Sequence, residues 1–186
     1  MTAKNIYDKN IIEFVTVGVE FCSFIERAND ILAPEFIDTS VKLLPLLYLK
    51  AVLLPESRVE DEGIAEHFVT EEDYEYIRTL LCRKLGENDP YLEVFQEDMQ
   101  YSDTPIIANI SEDLADIYQD VKDFVSTFSL GNEESTREAL AGCQENFAAY
   151  WGQKLVNVLR ALHHLRFDPN PGKEYDDATE DTDEWN

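Results

Sequence analysis

The chain has 186 residues, 44% hydrophobic and 11% aromatic, with a net charge of −24 from 39 acids against 15 lysines and arginines. That is the composition of one folded domain with or without a tail, and seven glycines and seven prolines are few for an all-β chain. A field of this sign repels phosphate backbones and anionic membranes, which argues against direct binding of nucleic acid and points to cations, basic proteins or basic peptides as partners.

Residues 5–30 repeat apolar positions at helical spacing: Ile6, Phe14, Val17, Phe21, Phe24, Ile25 and Ala28. Val15, Val19 and Cys22 widen the stripe until only an edge of Glu13, Glu20 and Arg27 is polar, which predicts a central helix. A second helix is expected from about Glu35 to Leu54, with a restart or kink at Pro45 and an end at Pro55. Its run LLPLLYLKAVLL is twelve residues long and carries Lys50, too short to span a bilayer. The N-terminal MTAKNIYDKN lacks the apolar stretch of a signal peptide.

Residues 55–69 read as an acidic loop. Thr70 with Asp73 forms a capping box for a third helix, whose stripe is Tyr74, Ile77, Leu81 and Leu85 and whose stop is Gly86. Asp89-Pro90 predicts a short fourth helix, PYLEVFQEDM. Thr104-Pro105 offers the next start. From there Ile106, Ile107, Ile110, Leu114, Ile117, Tyr118, Val121, Phe124, Val125 and Phe128 keep one helical phase to Gly131. Ser135-x-x-Glu138 reads as a second capping box, opening a long last helix to about Arg166 with Leu140, Phe147, Trp151, Leu155, Val158, Leu162 and Leu165 on its core face. Gly142 and Gly152 inside it predict close approach of a neighbouring helix. With no strand pattern, the fold class is all-α. A bundle of five or six helices over residues 4–167 is expected, followed by an acidic, flexible tail, 168–186.

Asp113, Asp116, Asp120 and Asp123 lie at helical spacing on the flank of the fifth segment's buried face. Such carboxylates can hold Mg²⁺ or Mn²⁺, so they are the candidate metal ligands of a hydrolase acting on a phosphorylated small molecule. Lys50 and Lys154 fall on apolar arcs and need carboxylate partners, for which Asp116, Asp120, Glu13 and Glu20 are the candidates. Those six residues are expected to form register-setting ion pairs or a small polar pocket. His67, His163 and His164 complete no ExxH or HExxH pattern, and no phosphate loop, nucleophile triad or cofactor motif is legible. Cys22, Cys82 and Cys143 read as reduced core thiols of a cytoplasmic protein.

Five stretches together carry a family likeness: LLPLLYLKA at 43–51, TEEDYEYI at 70–77, YSDTPI at 101–106, SEDLADIYQDVKDF at 111–124 and CQENFAAYWGQKLVNVLRALH at 143–163. From Ile6 to Phe167 the chain resembles a bacterial all-helical family known as a domain of unknown function. The resemblance implies a single helical domain and supplies no activity, cofactor or site residue. The leading expectation is a non-enzymatic, cytoplasmic interaction or adaptor module that binds a basic protein. The carboxylate–metal hydrolase is the alternative, and a nucleic-acid mimic with rows of acids a weaker one.

Overall fold

The structure, a computed structural model, describes residues 6–57, 67–93 and 106–168. Among the described residues, six helices and one two-stranded ribbon follow in order. Helix α1 (Lys9–Glu26) and α2 (Ala33–Val52) form a helical hairpin through a short 3₁₀ turn, Ala28–Asp30. Then come α3 (Glu71–Leu85), strand β1 (Pro90–Leu92), strand β2 (Ile107–Asn109) and α4 (Ile110–Ser129). One helical run closes the fold: α5 (Glu133–Asn146), a π-helical segment (Phe147–Trp151) and α6 (Gly152–Phe167). The all-α bundle holds. The predicted flexible tail from residue 169 and most of the 55–69 loop lie outside the described residues.

The hub is α4, which packs against α1, α3, α5 and α6. The expectation of a central α1 is thereby corrected, since Ile12 and Val19 of α1 face solvent. Hydropathy misplaces the centre because α4 buries polar residues as well as apolar ones: Ser111, Asp113, Asp116 and Thr127 are all buried beside Ile110, Leu114, Ile117, Val121 and Phe124. A helix whose polar flank finds partners can be enclosed on more sides than its apolar stripe suggests. Where α1 crosses α4, Gly18 removes a side chain that would stand 3.0 Å from both Val121 and Val125, so the two backbones come close.

Local signals decide most ends. Both halves of the Thr70–Asp73 capping box are made. Gly86 and Gly131 take φ of 56° and 72° where α3 and α4 stop. α2 runs through Pro45 without ending and starts at Ala33, with Pro34 in its first turn. The second predicted capping box is replaced by Asn132, whose side chain accepts from Glu134 N (3.0 Å) and Ser135 N (3.2 Å).

The expected fourth helix is the main departure. Pro90–Leu92 is a strand, paired antiparallel with Ile107–Asn109 in the register Tyr91↔Ala108; the remainder of that predicted helix lies outside the described residues. Asp89 does not open a helix of its own. Its buried carboxylate accepts from Ser111 N (2.7 Å) and Ser111 Oγ (2.8 Å), and its carbonyl accepts from Ile110 N (2.9 Å). It therefore caps α4 from across the ribbon, and Ile106 and Ile107 fall before the helix instead of in it.

Candidate functional site

The polar flank of α4 is the floor of the candidate site, with α3 on one side and the π segment and α6 on the other. Lys154 Nζ sits between two carboxylates, 2.6 Å from Asp113 Oδ1 and 2.7 Å from Asp116 Oδ2. Three tyrosine hydroxyls complete the cluster. Tyr91 of β1 donates to Asp113, Tyr74 of α3 donates to Asp116 Oδ1 (2.8 Å), and Tyr150 of the π segment donates to Asp116 Oδ2 (2.7 Å). Asp113 and Asp116 are 3% and 9% exposed, so without these donors they would be buried charges lacking compensation. The Lys154 ammonium also lies 4.9 Å from the centre of the Tyr150 ring.

The π turn makes this possible. Gly152 N–H donates to the Phe147 carbonyl five residues back. One extra residue turns everything after it by about 100° relative to an unbroken α-helix. Tyr150, inside the turn, and Lys154, just beyond it, both reach aspartates of α4. Neighbouring contacts hold β1 in place: Arg160 donates to Leu92 O (2.7 Å) and Asn157 to Glu93 Oε1 (2.6 Å).

The charges follow from burial and partners. Burial pulls Lys154 down, but hydrogen bonds and charge from Asp113 and Asp116 outweigh it and hold the ammonium well above the ordinary lysine range. Burial lifts Asp113 above the usual carboxylate value against the opposing pull of Lys154 and Tyr91. Tyr74, Tyr91 and Tyr150 are raised, first by burial and then by their carboxylate acceptors, so all three remain protonated donors. The pair is a charged ammonium between carboxylates, fully hydrogen-bonded, with no unpartnered base in it.

The other predicted residues are not brought together with these. Lys50 pairs with Glu13 (2.7 Å) and ties α2 to α1, while Glu20 is exposed on α1 and joins neither group. Asp120 meets neither lysine; Asn146 Nδ2 donates to it at 2.5 Å. Asp123 accepts from Phe68 N (2.7 Å) and Val69 N (2.9 Å) and pairs with His67 Nδ1 (2.9 Å), fixing the chain as it enters α3. Among the described residues no group of three or more His, Cys, Asp and Glu side chains is arranged to hold a metal ion. The convergence that Asp113, Asp116, Asp120 and Asp123 would need as metal ligands is therefore not met. Asp120 and Asp123 turn to partners of their own, and Lys154 stands between Asp113 and Asp116.

Asp120 yields a pH prediction. Burial raises it, ahead of the opposing Asn146 hydrogen bond. With the folded value above the unfolded one, the proton favours the fold. That contribution is complete below the unfolded carboxylate value and is lost as pH rises through the folded one. Asp120→Asn should accordingly raise the urea midpoint at pH 7 and leave it unchanged near pH 3; an equal shift at both would refute the assignment.

A family model described as Domain of unknown function (DUF5063) matches residues 5–168. The chain belongs to this family. Protein BF1032 from Bacteroides fragilis, a solved structure, is 49% identical to this DUF5063 chain with a TM-score of 0.79, covering 90% of this chain and 98% of the other. No curated protein matches. No helix among the described residues is long and apolar enough to cross a membrane.

Tyr74, Tyr91, Tyr150 and Asp89 were not legible as site residues. Tyr74 reads as part of an apolar stripe, Tyr91 sits in a predicted helix, and Tyr150 lies inside a π turn that the sequence does not signal. The one available signal was the Tyr150–Lys154 spacing of four beside an aspartate-rich helix. Cys82, expected in the core, is exposed, whereas Cys22 and Cys143 are buried. Burial pushes the Cys22 thiol up to about 12.

Proposed function

We propose that this DUF5063 chain is a non-catalytic cytoplasmic interaction module that receives a basic segment of a protein partner along the polar flank of α4. The observation that carries this is how the charges are distributed. The chain has fifteen lysines and arginines against 39 acids, and among the described residues eight of those cations are in ion pairs within it. On the polar flank of α4 Lys154 meets two of four aspartates; Glu112 is exposed on the same helix, and Glu71 is exposed on α3 one turn before Tyr74. The clasp of Lys154 and three tyrosines holds that acidic surface rigid, which lowers the entropic cost of binding. The cytoplasmic setting is supported by the three free cysteines, two of them buried thiols.

Fluorescence anisotropy with a labelled Lys/Arg-rich peptide tests it on the full chain. Binding should weaken steeply between low and high salt. The triple variant Glu71→Gln, Glu112→Gln, Asp120→Asn should lose about tenfold in affinity, equivalent to ~1.4 kcal/mol. The control Glu133→Gln, Glu134→Gln removes acids from the start of α5 and should bind as the parent does. Equal losses in both would mean a general field without a site and would reject the proposal.

A further inference from the structure

One groove reverses the charge of the whole molecule. Between α2 and α6 lies an open cleft of about 820 Å³. Val41, Pro45, Val156, Leu159 and Phe167 give it an apolar lining, of which Val156 and Phe167 are 41% and 60% exposed. Lys42, Arg160 and Arg166 stand around it, with Asp38 the acid among its lining residues. Asp38 accepts from both Lys42 (2.5 Å) and Arg166 (2.7 Å), so it neutralises only part of that charge. Cations outnumber acids here in a chain where acids outnumber cations more than twofold. A ligand for this cleft needs negative charge and aromatic or apolar surface together.

We propose that residues 169–186 of this chain fold back into the α2–α6 groove, setting their acids against Lys42, Arg160 and Arg166 and an aromatic ring against Val156 and Phe167. Three features of the sequence favour this occupant. The segment starts where the groove ends, because Phe167 is both a lining residue and the last residue of α6. Asn170-Pro171-Gly172-Lys173 has the proline and glycine placement of a tight turn, which would reverse the chain directly after the helix. Beyond the turn come Asp176, Asp177, Glu180, Asp181, Asp183 and Glu184, bracketed by Tyr175 and Trp185. Eighteen residues reach roughly 60 Å when extended. The path back from Phe167 to Val156 is only about 16 Å along the helix. Tethering at that distance keeps the segment at a high effective concentration beside the groove. The α4 flank is not involved, so this inference stands or falls separately from the proposed function.

Paramagnetic relaxation in the full chain decides it. A spin label is placed at Ala178→Cys in a Cys82→Ser background, where the remaining thiols, Cys22 and Cys143, are buried. The amide signals of Val41, Lys42, Leu159 and Arg160 should broaden selectively over those of the exposed Glu71 and Glu72. In 1 M salt, where the screening length is about 3 Å, the broadening should fall about threefold. Lys42→Glu, a change at a side chain that is 71% exposed, should reduce it similarly in low salt. Even broadening over the surface would overturn the proposal. So would broadening that appears when labelled-isotope, untagged chain is mixed with tagged chain, since the occupant would then be a second copy.

Discussion

Gly152→Ala should destabilise this chain by about 3 kcal/mol, the upper part of the range for forcing atoms into a packed site. In thermal unfolding that is a fall of roughly 6–12 °C for a domain of this size. A Cβ built at Gly152 would lie 2.5 Å from the Phe147 carbonyl oxygen and 2.9 Å from the Phe147 ring. The oxygen is the one that accepts the π-turn hydrogen bond from Gly152, so the backbone cannot simply step aside. Reverting the π turn to regular α-helix would relieve the clash, but it would rotate Tyr150 and Lys154 away from Asp113 and Asp116. Either response costs stability. Gly142 in α5 is the control. Nothing lies within 4 Å of a Cβ there, so Gly142→Ala should gain up to about 1 kcal/mol from helix propensity alone. The two interior glycines that look alike in sequence are thus expected to respond with opposite sign. A Gly152→Ala protein as stable as the parent would remove the reason given for the glycine. The expected approach of a neighbouring helix is corrected at both positions: Gly142 is open, and Gly152 is crowded by its own helix. Among the described glycines, the one that admits a neighbouring helix is Gly18.

Lys154→Met should cost about 3–5 kcal/mol at pH 7, the usual loss when one partner of a buried ion pair is removed and the other charge stays. Methionine keeps most of the volume, so the loss reports charge more than packing. Two buried carboxylates would face one another with only the tyrosine hydroxyls to compensate them. Asp113, already lifted by burial, would rise further once the lysine is gone. Its folded value then stands well above its unfolded one, so the variant should regain stability as pH falls toward the carboxylate range, a gain much larger than the parent's over that interval. The triple variant Lys154→Met, Asp113→Asn, Asp116→Asn removes all three charges and should recover most of the loss, because an uncharged polar cluster carries no desolvation penalty of that size. Chemical denaturation at pH 7 and pH 5 measures both effects. A single variant losing under about 1 kcal/mol would show that the clasp is not what holds α6 and α3 to α4.

Much of the architecture is written in local sequence. Helical period, the Thr70–Asp73 box and the stops at Gly86 and Gly131 depend on residues within a few positions of one another, so short-range physics decides them. The pairing need of Lys154 was legible too, because a lysine on an apolar arc must find a carboxylate. Which carboxylates was legible only in part, since Asp116 was among the candidates and Asp113 was not. Asp113, Asp116, Asp120 and Asp123 look equivalent along the helix, yet one pair takes Lys154, one takes Asn146 and one takes the backbone before α3. Asp89 shows the same divide. In sequence it has the form of a helix cap, and in the structure it does cap a helix, but one whose first residue lies more than twenty positions further on.

By itself, then, the sequence determined that this chain is a helical bundle with an acidic surface, where several of its helices stop, and that one lysine had to be neutralised. Those are properties of residue type, charge and near-neighbour spacing. The tertiary structure alone decided that α4 is the hub, that a π turn aims Tyr150 and Lys154 at it, and that tyrosines from α3 and β1 close the cluster. Each of these rests on contacts between residues far apart in the chain, set by how whole helices pack and rotate against one another.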